Sequence, residues 1–359
     1  MKSALSKAWI TLALVPLGMP WATSPVAGQT EISARSADIR IGGRLHGQLA
    51  TSSAEGAKSI DFFNRRARLT IDVSVTDLLD GRITPDFSGG VVDLKDAYFR
   101  LNLDPGFRLS FGQFKRAFDI FELNSSTEIV VVERTGRING VGDCGGTGGV
   151  CTLSRFTEQL EYSDRDVGIR IDGSVGERVS YLATVTNGTG SRGPDRNSGK
   201  SMAGRLSFEL GDGLTLSGNV SHHDFPQGDM TGRGTAFGAD LDMGSFRDGT
   251  HFQVGFVGGE NWLDEDPTTG EGPTFLSAQA IISHYVPLAG GRLEAIEPMA
   301  RVSWGDPSTD VNDDGGLLLT PGVFLYVLGR NRIGANIDVY SPQTGDTDFG
   351  LKIQTYLYF

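Results

Sequence analysis

The amino-acid sequence predicts an all-β fold, a transmembrane antiparallel β-barrel of about 16 strands. Three observations predict it. Apolar and polar residues alternate with period 2 in segment after segment, and helical periodicity does not appear. Beyond residue 28 no stretch approaches the ~20 apolar residues that a spanning helix needs. The connections alternate between tight turns and longer polar loops, an asymmetry that a water-soluble sandwich has no reason to show.

The elements follow in chain order. Residues 1–28 read as an export leader. Lys2 and Lys7 give the positive start, Trp9 to Leu17 the apolar middle, and Val26-Ala27-Gly28 small residues for cleavage. The mature chain is expected to begin near Gln29, and residues 29–359 form one barrel with no linker. Strands are predicted at 39–50, 60–75, 81–89, 91–103, 107–115, 165–174, 178–187, 200–210, 214–223, 232–243, 250–260, 274–286, 292–304, 315–327, 330–341 and 347–359. Tight Gly-, Asp- and Pro-rich turns such as Asp104-Pro105-Gly106 and Val175-Gly176-Glu177 join them on one side. On the other side lie longer segments: 116–164, 188–199, 224–231, 261–273 and 305–314.

Alternation assigns the faces. In the last strand Phe349, Leu351, Ile353, Leu357 and Phe359 share one side, and Lys352, Gln354, Tyr356 and Tyr358 the other. In the second, Ala67, Leu69, Ile71 and Val73 point to lipid, while Asn64, Arg66, Arg68, Thr70 and Asp72 point inward. In the first, Arg40, Arg44, His46 and Gln48 point inward. A charge in the hydrocarbon zone costs about 2–4 kcal/mol at the midplane, so the inner face must be wet. A wet interior about sixteen strands around is a channel.

Four stretches carry a resemblance. They are Phe63-Asn64-Arg65-Arg66-Ala67-Arg68-Leu69, Val92-Asp93-Leu94-Lys95-Asp96-Ala97-Tyr98-Phe99, Gly112-Gln113-Phe114-Lys115-Arg116-Ala117-Phe118, and Ser125-Ser126-Thr127-Glu128 with Glu133-Arg134. In this order and spacing the chain resembles the phosphate-selective porin O/P family of Gram-negative outer membranes. The terminal Phe359 looks like the C-terminal aromatic signal read during barrel insertion. The resemblance implies a 16-stranded barrel, usually a homotrimer, with its long third extracellular loop folded inward as a constriction. It also implies a pore lined by arginine and lysine that selects anions. The 116–164 segment falls where that loop belongs.

Candidate solute contacts are Arg66 and Arg68, at i and i+2 on the inner face, whose fork-shaped donors suit phosphate or carboxylate. Arg40, Arg44, Arg100 and Arg108 are predicted inward as well, and Lys115 and Arg116 open the long loop. Arg65 should point outward unless a bulge intervenes. Against anion preference stand the net charge of −12, the acidic run Glu260–Asp266, and a wall that mixes about eleven bases with about ten acids, among them Glu209, Asp240, Asp242, Glu297 and Asp338. Diffusion of small hydrophilic solutes in general is therefore kept beside phosphate. Acidity also excludes nucleic acid as a partner.

Cys144 and Cys151 flank a Gly-rich loop. In an exported protein they are expected to form a disulfide, since a metal would need further soft ligands nearby. Asp310, Asn312 and Asp314, followed by Gly315, have the spacing of a calcium loop, but Pro321 stands where its bidentate Glu belongs. The five histidines are scattered, and no catalytic motif appears. Neither an enzyme nor a cofactor is expected. The competing readings are a surface-loop adhesin or enzyme on a plugged barrel, and a soluble secreted solenoid or sandwich.

Overall fold

The protein's structure is a computed structural model. It describes residues 29–359 apart from 35–36, 58–59, 192–194, 196, 212, 227, 229–231 and 267. The expected leader, residues 1–28, lies outside the described residues. The strands are β1 (Gln29–Ala34), β2 (Ala37–Thr51), β3 (Ile60–Thr76), β4 (Leu79–Asp86), β5 (Asp93–Asp104), β6 (Phe107–Lys115), β7 (Arg165–Val175), β8 (Val179–Thr186) and β9 (Ser201–Gly211). They continue as β10 (Leu214–Asp224), β11 (Arg233–Ser245), β12 (Asp248–Glu260), β13 (Thr274–His284), β14 (Val286–Pro287), β15 (Ala295–Asp306), β16 (Gly316–Leu328), β17 (Asn331–Pro342) and β18 (Asp348–Tyr358). Two short helices, α1 (Ile120–Leu123) and α2 (Leu153–Gln159), lie in the long loop.

Each strand from β2 onward pairs antiparallel with the next, β13 and β14 forming a single traverse. β18 then pairs back onto β2 through Lys352↔Ala50, Gln354↔Gln48 and Tyr356↔His46. Sixteen traverses thus close into a barrel with no free sheet edge in the ring. All sixteen predicted strands are present. β1 is an addition that the sequence did not announce. It pairs only with the start of β2, from Gln29↔Gly42 to Ala34↔Ala37, on the edge that β18 leaves below Arg44. Six residues beside an expected cleavage point carry too little alternation to read as a strand.

The predicted boundary between 81–89 and 91–103 shifts. β4 stops at Asp86 because its carboxylate turns back to accept hydrogen bonds from the Ser88 amide at 3.1 Å and hydroxyl at 2.8 Å. An Asp that satisfies its own turn competes with the ladder.

The faces sort as alternation requires. On β18, Leu357 is 52% exposed and Phe349 50%, while Gln354 is 0% and Lys352 3%. Apolar side chains such as Phe208, Phe237, Phe256 and Ile337 cover the outside. The inside is only partly wet. Segment 116–164, the third connection on the side of the longer loops, folds into the barrel and brings its own apolar core. Phe118, Phe121, Val130, Val132, Leu153, Phe156 and Leu160 pack there against inward Val257, Phe275, Ile281, Leu318 and Phe324. Phe156 stacks on Phe275 at 5.0 Å between centroids. Inward Gly255 leaves room for Phe121, whose ring would lie 2.8 Å from any Cβ there.

Candidate functional site

The loop lies along one half of the wall and leaves the other half open. Polar groups of β10 to β17 hold it by its backbone. Arg301 donates to the carbonyls of Glu133 at 2.8 Å and Arg134 at 2.7 Å. Arg332 donates to the Ile129 carbonyl at 2.8 Å, and the Val132 amide donates to Asn336 at 2.5 Å. Tyr162 and Trp262 tie the loop's end to β12 and the segment after it. Cys144 and Cys151 form the expected disulfide. Asn261 donates to the Gly145 carbonyl beside it at 2.8 Å.

The space left is two chambers. The one toward the long loops has a volume of about 530 Å³ and the one toward the short turns about 1410 Å³. Lys115, Ser126 and Arg165 border both and mark the passage where they meet.

Arg66 and Arg68 face the upper chamber, as alternation predicts. Arg68 is paired with Asp86 at 2.6 Å. Arg66 is 3% exposed, and its Nε and Nη1 have no hydrogen-bond partner among the described residues. Arg44, opposite Arg68 in register, lines the lower chamber with Nε likewise unpaired. Arg165, which sequence reasoning passed over as a strand's first residue, is held by Asp96 at 3.0 Å in the passage.

The outward expectation for Arg65 is corrected. A bulge between His46 and Gly47 pairs His46 with Arg66 and Gly47 with Asn64, so Arg65 is the extra residue. It too turns inward and grips loop residue Glu133 at 2.6 Å and 3.1 Å. Burial alone would raise Glu133, but the charge and hydrogen bonds of Arg65 hold it down to about 2. Phe63 now stands opposite inward Gln48, the place expected for Asn64.

Other candidates are engaged by the wall. Arg100 pairs with Asp80 at 3.0 Å, and Arg108 pairs with Asp172. Arg40 lies opposite Asp72 near the short turns. Arg116 is corrected: rather than facing the passage, its guanidinium is 2% exposed and donates to Ser221 at 3.1 Å and to the carbonyls of His222 at 2.7 Å and Glu161. It fastens the loop's base. Lys115 does reach the passage, where it donates to the Asn124 carbonyl at 2.9 Å and lies 3.5 Å from Glu122, which Arg134 also meets at 2.9 Å.

The balanced wall charge is also revised. The upper chamber is lined by ten basic and five acidic side chains, and the lower by eight and four. Three of the missing acids are buried in the wall, whereas Glu209 is exposed and Asp242 half-buried. Asp240 is clamped by Arg205 at 2.5 Å and 2.6 Å. Asp338, 1% exposed, holds Arg301 and Lys352, and Glu297, 0% exposed, accepts from Ser283 and Tyr326.

The calcium spacing does not fold into a ligand cage. Asp310 and Asn312 are exposed, and among the described residues no three His, Cys, Asp or Glu converge on one point.

The model of the family described as phosphate-selective porin O and P matches residues 39–250, well over half the chain. The chain belongs to that family. This porin is a passive-diffusion channel of the bacterial outer membrane, and its family and fold are those of a channel rather than an enzyme. Solved porins share the architecture. An anion-selective porin from Comamonas acidovorans superposes with a TM-score of 0.61 at 11% identity, covering 90% of this chain and all of its own. OmpF of Salmonella typhi gives 0.59 at 10%, covering 92% and 100%. OmpT of Vibrio cholerae, in a trimer form, gives 0.57 at 12%, covering 90% and 100%. At these identities the likeness concerns the fold. No curated protein sequence matches the chain.

Proposed function

We propose that this porin favours small anions, phosphate among them, and that Arg44, Arg66 and Arg68, with Lys115 and Arg165 in the passage, set the preference. The observation that carries this reading is the twofold excess of bases over acids in both chambers. A cation entering the bore meets guanidinium forks, whereas an anion exchanges part of its water for them. The acidic net charge acts from the outer loops and is screened beyond about 10 Å. The anion-selective porin from Comamonas supports the reading by fold alone. We propose further that the chain assembles as a homotrimer, by analogy with the trimer form of OmpT, and that export removes the leader near Gln29.

Planar-bilayer recording tests the preference. Exchanging chloride for phosphate should alter the single-channel current strongly, and exchanging potassium for a bulky organic cation should alter it little. Current that follows the cation would reject the anion reading.

A further inference from the structure

A carboxylate that the channel reading leaves unused sits where the long loop turns into the bore. Asp119 is the cap of α1, has a left-handed backbone at φ 63°, and is 3% exposed. One of its oxygens accepts from the Phe121 amide at 2.9 Å and the other meets the Thr157 hydroxyl of α2 at 2.7 Å. It thus joins α1 to α2 by hydrogen bonds at both ends. Its other neighbours are Asn219 of β10, whose oxygen accepts weakly from the Asp119 amide at 3.5 Å, and two carboxylates, Glu122 of α1 and Asp240 of β11. Both acids already have cations, Glu122 in Lys115 and Arg134, and Asp240 in Arg205. Among the described residues no cation is paired with Asp119.

We infer that Asp119 is a proton-controlled clasp on the constriction loop, closed when neutral and loosened when ionised. The geometry accommodates the neutral acid, because a threonine hydroxyl serves as donor or acceptor with equal ease. The ionised form would face Glu122 and Asp240 in a low-dielectric site with only neutral donors. Burial, aided by those two acids, pushes Asp119 up to about 7. The sign follows. The docked loop keeps a proton that the undocked chain releases near pH 4. Docking therefore weakens as pH rises from there to about 7 and levels off above it. α1 is the part set free, since α2 stays pinned by Phe275, by Ser303 and by the disulfide segment. Movement of α1 carries Glu122 away from Lys115 and Arg134 and turns both cations toward the passage.

The test is single-channel recording of the whole porin in bilayers at about pH 6 and about pH 8. The wild type should be quiet at the lower pH and show several-fold more current fluctuation at the higher, with a larger anion preference. Asp119→Asn should be quiet at both, with folding checked by heat-modifiable mobility on a detergent gel. Thr157→Val, which deletes the clasp's bond to α2, should leave the current fluctuating at both pH values. Glu158, half-buried in the same loop and also pushed up to about 7, is the competing titrating group. A wild type indifferent to pH overturns the inference. So does an Asp119→Asn variant that keeps the wild-type response, or loss of that response in Glu158→Gln instead.

Discussion

The β2–β7 half of the wall and the β9–β17 half obey the same alternation, and both point charges inward. They do opposite work. On the first half Arg44, Arg66 and Arg165 line the two chambers. On the second, Arg301, Arg332, Asp338 and Glu297 are buried under the loop and spend their hydrogen bonds on it or on neighbouring wall residues. The difference teaches that a porin's selectivity cannot be read from the sum of inward charges. An acid and a base that neutralise each other beneath a loop leave the field of the passage to the half that is uncovered.

The comparison can be broken most forcefully by removing what separates the halves. Deletion of 119–160 should expose the second half and widen the bore, raising single-channel conductance several-fold, whereas a plugged scaffold would show no such increase. Next in size is Asp338→Leu. It strips Arg301 and Lys352 of their shared partner at 1% exposure, and stranding buried charge costs about 3–5 kcal/mol. Thermal or urea transitions of the barrel should fall accordingly. A double change to Arg66→Gln and Arg68→Gln on the open half should act chiefly on permeation, cutting the anion-to-cation permeability ratio several-fold, with a smaller loss on unfolding because Asp86, deprived of Arg68, keeps its Ala67 and Ser88 donors. Smaller still, replacing Cys144 and Cys151 together with serine should lower loop stability by about 2.5 kcal/mol, the chain-entropy value for so short a loop. Reductant added to the unfolded wild type should reproduce that loss. Smallest is the effect of salt. Raising ionic strength toward 1 M shortens the screening length to about 3 Å, and should erode part of the anion preference while Arg66, which is buried, keeps the remainder.

The barrel was legible because lipid enforces alternation on every traverse, and sixteen repetitions make a weak signal firm. What alternation could not show was parity at irregularities. Arg65 changes face through one bulged residue, and nothing in Asn64-Arg65-Arg66 announces it. The dry half left a trace. Phe275 and Ile281 alternate inward with Ser277 and Gln279 on β13, and Val257 and Leu318 do the same on their strands, which is out of place in a wall facing water. Apolar residues at inward positions on β12, β13 and β16, set beside the apolar run Ile129-Val130-Val131-Val132 in the loop, could have located the contact. Arg116 and Lys115 show the remaining gap. Adjacent cations at the same loop entrance diverge, one into wall carbonyls and one into the passage, and only the path of the backbone separates them.

The most direct measurement is the zero-current potential across a bilayer holding the porin between unequal concentrations of potassium chloride, taken for the wild type and for the Arg66→Gln, Arg68→Gln variant. The wild type should give the sign of chloride preference, and the variant should move toward zero. Potassium preference in the wild type, or identical potentials in the two proteins, would contradict the claim that the uncovered arginine wall governs what passes.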